Sequence, residues 1–324
     1  MEVGRYQPPY FLFNKHLETI YPALFRKVHV PPFRRERIIT PDNDFLDLDW
    51  LEHRSPSLHA HAGNPISKKL VIISHGLEGN SQRPYVKGMA KAFFDRKYDV
   101  LAWNYRGCGD EMNKQLRFYH SGASDDLDIV VKHVAPKYQS VHLVGFSLGG
   151  NITLKYLGEK KEATSIKGAA VFSVPLNLHS SCEQISKPGN FIYANRFLNS
   201  LKKKVITKSI IRGDIDIHRI GDISNLKDFD DRYTAPLHGF RDALHYYKSC
   251  SSLYFLKDIR VPALIVNAQN DPFLAADCFP TNIDNPFLHF EFPERGGHVG
   301  FAMLSQNGLY WSEVRALQFI DSIQ

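Results

Sequence analysis

Apolar and polar positions along the chain follow two patterns that alternate. Short continuous apolar runs, typical of buried parallel strands, stand between stretches with the spacing of amphipathic helices. The predicted strands cover residues 70–73, 100–105, 141–146, 168–174, 261–267 and 287–292, after a hairpin formed by 38–40 and 45–51. The predicted helices cover residues 84–97, 125–137, 148–158 and 309–323. Strands that alternate with helices favour an α/β fold with a mostly parallel sheet flanked by helices.

This alternation stops in one long segment. From residue 175 to residue 256 the chain shows helical or irregular stretches and no clear strand pattern. We therefore predict a core built from residues 1–174 and 257–324, with a helical cap insertion at 175–256. Such an insertion would stand at the carboxyl ends of the strands, where open α/β sheets bind their ligands.

The composition is that of an ordinary globular chain. Of the 324 residues, 43% are hydrophobic and 23% are charged, which excludes disordered, collagen-like and coiled-coil proteins. No run approaches the ~18 consecutive apolar residues of a membrane-spanning helix. The first nine residues lack the basic and apolar regions of a signal peptide. We expect a soluble, cytoplasmic protein whose contact with membranes is at most peripheral.

Cysteines and charges narrow the possible partners. The cysteines at 108, 182, 250 and 278 form no CxxC pair, so we expect reduced thiols and neither a disulfide framework nor a zinc site. The net charge is only +6. Basic clusters at 34–37 and 202–204 lack an aromatic-basic motif, so they predict a solvated face or attraction to anionic lipid or substrate rather than nucleic acid. HExxH, P-loop and GxGxxG patterns are absent, and we expect neither a metal nor a cofactor.

The clearest chemical motif is Gly-Phe-Ser-Leu-Gly-Gly at residues 145–150, which matches G-x-S-x-G. It lies between a predicted strand and a predicted helix, where a sharp turn would expose the Ser147 hydroxyl above a helix N-terminus. Gly145 and Gly149 fit such a turn because side chains there would collide with neighbouring backbone. The motif predicts that Ser147 is a nucleophile. The alternative is an ordinary glycine-rich turn with a helix-capping serine.

A serine nucleophile needs a base and an acid, which in this type of fold follow in the order Ser, acid, His. Asp271 comes after the strand at 261–267, and His298 comes after the strand at 287–292, so we predict these two as acid and base. Three competitors remain, namely His289 within its strand and the acids Asp277 and Asp284. Asp271 alone could also be a turn-capping residue in Asn-Asp-Pro.

Acyl chemistry also needs donors for a developing oxyanion. His75-Gly76 follows the strand at 70–73, the place where one backbone donor is expected. We predict an oxyanion hole made of the Leu77 and Leu148 N–H groups. His75 itself is expected to be structural. The H-x4-D spacing at 120–125 is better explained by Ser124 or Asp125 capping the next helix than by catalysis.

Together these motifs resemble the AB hydrolase superfamily and, within it, the YheT-like branch of esterases. The matching segments are residues 14–19, 75–79, 104–109, 145–151, 229–236 with 239–240, and 270–273. Lys15 departs from the small or proline-like residue expected there. The resemblance implies an α/β-hydrolase fold with a cap and a carboxylic-ester substrate. Eukaryotic relatives include lipid-ester hydrolases and medium-chain fatty-acid ester synthases.

The residues and the resemblance predict a serine hydrolase that cleaves esters of short- to medium-chain acyl groups, or lipid esters, through an acyl-enzyme. Two alternatives stay open: an acyltransferase that uses the same acyl-enzyme, and a non-catalytic binding module on a hydrolase scaffold. The apolar residues Phe191, Ile192, Tyr193 and Phe197 either hold an acyl chain or pack within the cap. The sequence leaves the oligomeric state open.

Overall fold

An eight-stranded sheet in the order β1-β2-β4-β3-β5-β6-β7-β8 forms the centre of the computed structural model, which describes residues 4–53, 69–161, 165–305 and 307–323. The strands are β1 (Arg34–Ile39), β2 (Phe45–Leu51), β3 (Lys69–Ser74), β4 (Asp99–Asn104), β5 (Ser140–Phe146), β6 (Ile166–Phe172), β7 (Ala263–Val266) and β8 (Leu288–Glu291). Strands β3 to β8 pair in parallel, whereas β2 pairs antiparallel with both β1 and β4. The mostly parallel sheet therefore agrees with the prediction.

The described residues also form helices, some of which cover the two faces of this sheet. They are α1 (Lys15–Phe25), α2 (Pro84–Asp95), α3 (Ser124–Val134), α4 (Leu148–Lys160), α5 (Leu178–Ile185), α6 (Phe191–Arg212), α7 (Leu226–Phe229), α8 (Ala235–Leu237), α9 (Ala243–Cys250) and α10 (Trp311–Ser322). A π-helical turn, Asp230–Thr234, joins α7 to α8. Residues 1–3, at the start of the predicted core, lie outside the described residues.

The central strands read as continuous apolar runs because each of their faces is covered. In β3, Leu70 and Ile72 pack in the cluster with α3 and α4, while Val71 and Ile73 pack in the cluster with α2 and α10. Successive side chains of a strand point to opposite faces, so two separate cores need apolar residues at every position. This is why the strands were predictable as runs rather than as alternations.

Strand β6 corrects one predicted boundary. It ends at Phe172, two residues before the predicted end at 174. Ser173 adopts a φ of 54°, a left-handed conformation that leaves the sheet direction. The turn therefore occurs before Pro175.

Helices α5 to α9 all lie in the segment between β6 and β7, every residue of which is described and none of which is in a strand. Helices α5, α6 and α7 contribute to one apolar cluster, which includes Leu198, Val205 and Phe229, and α9 packs in a second one. Phe118 and Phe273, from the loops after β4 and β7, belong to the first cluster. The helical segment thus packs on the loops at the carboxyl ends of the strands.

Helix α1 was not predicted. The residues that it buries are Glu18, Thr19 and Pro22, so its buried face shows no apolar periodicity. Its start is fixed by Asn14, whose side-chain oxygen accepts hydrogen bonds of 3.0 Å from the N–H groups of His16 and Leu17. Polar tertiary contacts, rather than an apolar stripe, hold this helix in place.

A buried ion cluster joins the β1–β2 hairpin to α3. The Arg106 side chain is only 1% exposed, and its guanidinium lies 2.8 Å from Asp42, 2.9 Å from Asp44 and 2.8 Å from Asp126. Burial alone would raise the pKa of Asp44, but hydrogen bonds from Asn113 and from backbone N–H groups hold it below its usual value. The cluster stabilises the fold only while the cation and the carboxylates are all present.

Replacing Arg106 with Met should lower the free energy of unfolding by about 3–5 kcal/mol, because buried carboxylates would lose their cation. Arg34→Met is the control, since that side chain is 42% exposed and pairs with Glu52. Its effect should stay within roughly 1 kcal/mol. Urea unfolding followed by circular dichroism measures both. Equal small effects would contradict the assigned role of Arg106.

Candidate active site

Ser147 occupies the turn between β5 and α4 and is the single residue that separates them. Its backbone has a φ of 52° and a ψ of −121°, which is strained for a residue with a side chain. This backbone conformation is stabilised by a hydrogen bond of 2.9 Å from the Ser147 N–H to the Phe172 carbonyl. The turn places the Ser147 hydroxyl at the carboxyl edge of the sheet.

The glycines of this turn are required by close backbone contacts. A Cβ added to Gly145 would lie 2.6 Å from the Gly150 Cα, and one added to Gly149 would lie 2.3 Å from the Ser74 carbonyl oxygen. Both distances are too short for real carbon atoms, so larger residues would push the turn apart. This is the packing reason that the motif predicted for its glycines.

The structure brings Ser147, Asp271 and His298 together from the loops after β5, β7 and β8. The His298 Nε2 atom lies 3.0 Å from the Ser147 Oγ. Its Nδ1 atom lies 2.8 Å and 3.1 Å from the two Asp271 carboxylate oxygens. A proton on Nδ1 is donated to Asp271, which leaves Nε2 to accept the hydroxyl proton of Ser147. The Asp271 side chain is fully buried, and the His298 side chain is 11% exposed.

The competitors lie elsewhere in the described part of the chain. His289 packs its ring against Phe319 of α10, with ring centroids 5.2 Å apart. Asp277 accepts a hydrogen bond of 3.0 Å from the Asn177 side chain, and Asp284 is exposed. The Asp271 carboxylate also accepts a hydrogen bond of 2.9 Å from the Phe273 N–H, so it does act as a turn cap as well.

The two other predicted histidine features are structural. His75 is buried, which lowers its pKa to about 3 and keeps the ring neutral, and its Nδ1 lies 2.8 Å from the Gly76 carbonyl. The predicted cap at 124–125 is wrong: the N-cap of α3 is Ala123, without a side-chain bond. Ser124 instead donates to Glu159 at 2.5 Å, and Asp125 pairs with Arg117.

Glu18 of α1 links the loops that precede His298 and surround Asp271. This carboxylate is fully buried, and its Oε2 accepts hydrogen bonds from the Gly296 N–H at 2.8 Å and from the Asn270 side chain at 2.9 Å. The Arg295 guanidinium lies 2.5 Å from the other oxygen. A buried charge is costly unless it is paired, so these partners hold both loops against α1.

Thr19, the next residue of α1, contacts the backbone of His298 directly. Its Oγ1 accepts a hydrogen bond of 2.9 Å from the His298 N–H. Gly297 and Gly300 allow this approach, because an added Cβ would lie 2.8 Å from Thr19 Oγ1 and 2.3 Å from the Glu18 carbonyl, respectively. Sequence reasoning missed the roles of Glu18 and Thr19, although residues 14–19 stood out as a family motif.

Leu77 and Leu148, the predicted oxyanion donors, both line the cavity at Ser147. The turn that contains Leu77 is close to the nucleophile, since a Cβ on Gly76 would lie 3.4 Å from the Ser147 Cβ. The N–H groups of the residues before and after Leu77 already donate hydrogen bonds. The Gly76 N–H donates to the Tyr85 hydroxyl at 2.9 Å. In the same way, Glu78 donates to Tyr119 at 2.8 Å. Among the described residues, no atom accepts a hydrogen bond from the N–H of Leu77 or Leu148.

The Glu78 side chain ties this turn to α6. Its carboxylate lies 2.6 Å from the Lys204 Nζ and accepts hydrogen bonds of 2.7 Å from Tyr119 and 2.6 Å from Ser200. Burial alone would raise the pKa of Glu78, but the Lys204 charge and these hydrogen bonds hold it below its usual value. For Lys204 the prediction of a solvated or lipid-facing charge is wrong, because its side chain is only 11% exposed.

The other basic cluster is partly solvated and largely neutralised. Arg35 forms a bidentate pair with Asp49, and Arg37 forms one with Asp47. Their side chains are 32% and 37% exposed. The cluster therefore offers little uncompensated positive charge to a partner.

Two cavities meet at Ser147 and His298. The inner cavity has a volume of about 140 Å³ and is lined from the helical segment by apolar residues such as Leu178, Ile185 and Leu226. It also contains Asp230, whose pKa burial raises to about 6 although Thr234 and Tyr247 hydrogen-bond to it.

The outer cavity has a volume of about 320 Å³ and lies between α1, the turn at Leu77 and the start of α6. Phe197 lines both cavities and Tyr193 lines the outer one. Phe191 and Ile192 are 64% and 71% exposed, so of the four apolar residues singled out in the sequence these two do not pack inside the segment.

The described residues contain no group of three or more His, Cys, Asp or Glu side chains arranged to hold a metal ion. Within those residues, no helix has the length and apolar character needed to cross a membrane. The free cysteines include Cys108, Cys250 and Cys278, which are buried.

Comparison with known proteins shows the family to which this chain belongs. A model of the family described as serine aminopeptidase, S33, matches residues 65–277. The chain is 32% identical to a protein named as an esterase, YheT, of Escherichia coli strain K12, over 89% of this chain and 84% of that protein. The chain belongs to the YheT-like branch of the AB hydrolase superfamily. The predicted family is therefore confirmed.

Other relatives of this YheT-like hydrolase are named for ester and lipid cleavage. The chain is 28% identical to the phospholipase ABHD3 of Bos taurus over 91% of its length and 73% of the relative. It is also 29% identical to the monoacylglycerol lipase of Saccharomyces cerevisiae. That match covers 76% of this chain and 57% of the lipase. These names support the predicted enzyme class, a carboxylic ester hydrolase.

Solved structures support the fold. The esterase Pf2001 of Pyrococcus furiosus matches 92% of this chain and 98% of its own with a TM-score of 0.56 at 16% identity. At that identity the likeness concerns the fold alone. With the observed sheet, it confirms the predicted α/β-hydrolase fold.

Glu18→Gln should reduce the kcat/KM of this hydrolase for a p-nitrophenyl ester by roughly 10- to 100-fold, because small displacements of positioned groups are costly. The variant removes the charge that pairs with Arg295 while keeping the side-chain shape. Glu294→Gln is the matched control, since that residue is 72% exposed and pairs only with Arg5 in the described chain. If both variants behave like the wild type, Glu18 does not position the loops.

Proposed function

We propose that this chain is a serine hydrolase that cleaves carboxylic esters through an acyl-enzyme formed on Ser147. The observation that carries the proposal is the continuous path from the Ser147 Oγ through the His298 imidazole to the Asp271 carboxylate, with contacts of 3.0 Å and 2.8 Å. A hydroxyl becomes a useful nucleophile only when a base accepts its proton during attack. His298 is placed for that transfer.

In the first step the Ser147 oxygen attacks the ester carbonyl while His298 Nε2 takes the hydroxyl proton. The imidazole becomes a cation, and the buried Asp271 carboxylate stabilises it and holds the ring in position. The same Nε2 proton then passes to the oxygen of the departing alcohol. The acyl group is left bonded to Ser147.

Charge on the carbonyl oxygen is stabilised by the Leu77 and Leu148 N–H groups. Each such donor typically contributes about 3 kcal/mol to transition-state stabilisation. The Leu148 group also belongs to the first turn of α4, where the helix dipole favours a negative charge. The ion pair between Glu78 and Lys204 keeps the Leu77 turn in place relative to α6.

In the second step water replaces the alcohol. His298 accepts a proton from the water, the resulting oxygen attacks the acyl carbonyl, and the proton returns to Ser147 as the acid leaves. Hydrolysis and acyl transfer share the acyl-enzyme and differ only in whether water or another alcohol attacks it.

We infer that residues 175–256 act as a cap whose helices bind the acyl chain. The inner cavity, at about 140 Å³, suits a short acyl chain, since a cavity of about 150 Å³ accommodates a molecule the size of benzene. The outer cavity, which α1 lines on one side, has room for the alcohol part. Relatives named phospholipase and monoacylglycerol lipase make lipid esters plausible substrates alongside simple ones.

Ser147→Ala should lower the turnover of p-nitrophenyl acetate and butyrate by at least about 10³-fold, because Ser147 carries the one hydroxyl of the described residues that bonds to the His298 ring. Ser121→Ala is the control: Ser121 lines the same inner cavity, whereas within the described residues the His298 ring bonds to Ser147 and Asp271. Circular dichroism of both variants checks that the fold is retained. Full activity in Ser147→Ala would contradict the proposal.

The same assay separates the alternatives. With glycerol or ethanol added, free acid as the main product supports hydrolysis, whereas a new ester as the main product supports acyl transfer. A fluorophosphonate probe should label Ser147 in the wild type. Failure to label it, together with no turnover, would support the binding-module alternative.

A further inference from the structure

Exposed apolar residues lie at the edge of the outer cavity and in the two segments beside it, α1 with the residues before it and the start of α6. We call this set of residues the apolar rim, and it consists of Tyr10, Phe13, Leu24, Phe25, Phe191 and Ile192. Each of these side chains is more than 60% exposed, with values from 62% for Leu24 to 89% for Tyr10. Large contiguous apolar patches on soluble proteins usually mark an interaction site.

Contacts between the N-terminal segment and α6 join the rim into one surface. His16 of α1 lies 3.1 Å from the Tyr193 hydroxyl, and the two rings stack with centroids 5.8 Å apart. Further along, aromatic contacts of 5.3–5.6 Å connect Tyr10, Phe11, Tyr21 and Phe25. The two segments that carry the rim are therefore in contact with each other, and each contributes a residue, Leu24 or Ile192, to the lining of the outer cavity.

The outer cavity extends to the nucleophile. Leu24 and Ile192 of the rim line the outer cavity, and Ser147 and His298 line the same cavity from its other side. A molecule that enters through the rim thus reaches the reacting hydroxyl without crossing the helical segment.

The segments that form the rim are depleted of negative charge. Between residues 10 and 33 the only acid is Glu18, which is fully buried, and between residues 184 and 213 there is no acid at all. Lys27, Lys187 and Arg196, in contrast, are exposed in these segments. Apolar side chains flanked by basic ones complement a surface that is apolar beneath negatively charged groups.

We propose that the apolar rim binds an anionic phospholipid surface and thereby turns the mouth of the outer cavity toward the lipid. Phenylalanine and leucine side chains insert among the acyl chains, and the lysines contact the phosphates. A second copy of this chain is the less favourable partner, because it would bring the same positive charges against the rim. Docking needs no chemical step, and only its purpose, access to lipid esters, rests on the proposed function.

The test is flotation of the full chain with vesicles of phosphatidylcholine mixed with phosphatidylserine, compared with vesicles of phosphatidylcholine alone. We expect binding to the mixed vesicles that weakens as salt is added, since charge contributes. The triple variant Phe13→Ser, Phe25→Ser and Phe191→Ser should bind at least about tenfold more weakly, because each apolar side chain loses its burial in lipid. These residues do not line the outer cavity, so turnover of p-nitrophenyl acetate should be unchanged.

Two controls make the result decisive. Ile210→Ser changes a residue at the far end of α6 that is 78% exposed and should leave vesicle binding unchanged. Ser147→Ala should bind vesicles like the wild type, which separates failure of docking from failure of the proposed chemistry. No binding of the wild type, equal binding of the triple variant, or equal binding to neutral vesicles would overturn the proposal. So would a wild-type dimer that the triple variant dissociates.

Discussion

The buried carboxylate of Glu18 is the contact on which the geometry of the site depends. Asp271 and His298 come from two separate loops, and their own hydrogen bond does not fix either loop to the sheet. Glu18 binds the backbone before His298 and the side chain beside Asp271, and Thr19 binds the His298 backbone. Because an unpaired buried charge is costly, the loops and α1 hold one another in a single arrangement.

The other half of the site is fixed by strain and close packing. Ser147 has a positive φ in a turn where Gly145 packs against Gly150 and Gly149 packs against the backbone at the end of β3. The neighbouring Leu77 turn is stabilised by Glu78, which forms an ion pair with Lys204 in the helical segment. Contacts therefore connect Ser147, the Leu77 turn and α6. A shift of α6 would move the Leu77 N–H.

Much of this could be predicted because the relevant signals are local. Apolar runs such as 70–73 mark strands buried on both faces, and the positions of Ser147, Asp271 and His298 after predicted strands predict the contacts that the structure shows between them. Helix α1 was missed because it buries Glu18 and Thr19 rather than apolar residues. The prediction that Lys204 is solvated was wrong for a related reason. Its partner, Glu78, lies far away in the sequence, so no local pattern indicates that the Lys204 side chain is buried.

The orientation of the His298 imidazole is tested most directly by finding which ring nitrogen carries the proton. Nuclear magnetic resonance of the full chain with ¹⁵N-labelled histidine, compared with His298→Gln, identifies the ring N–H signal of this residue. We expect a proton on Nδ1, with a signal strongly shifted downfield by the Asp271 carboxylate and lost in Asp271→Asn. A proton on Nε2 instead, or a signal insensitive to Asp271, would show that this imidazole is not oriented to accept the Ser147 hydroxyl proton.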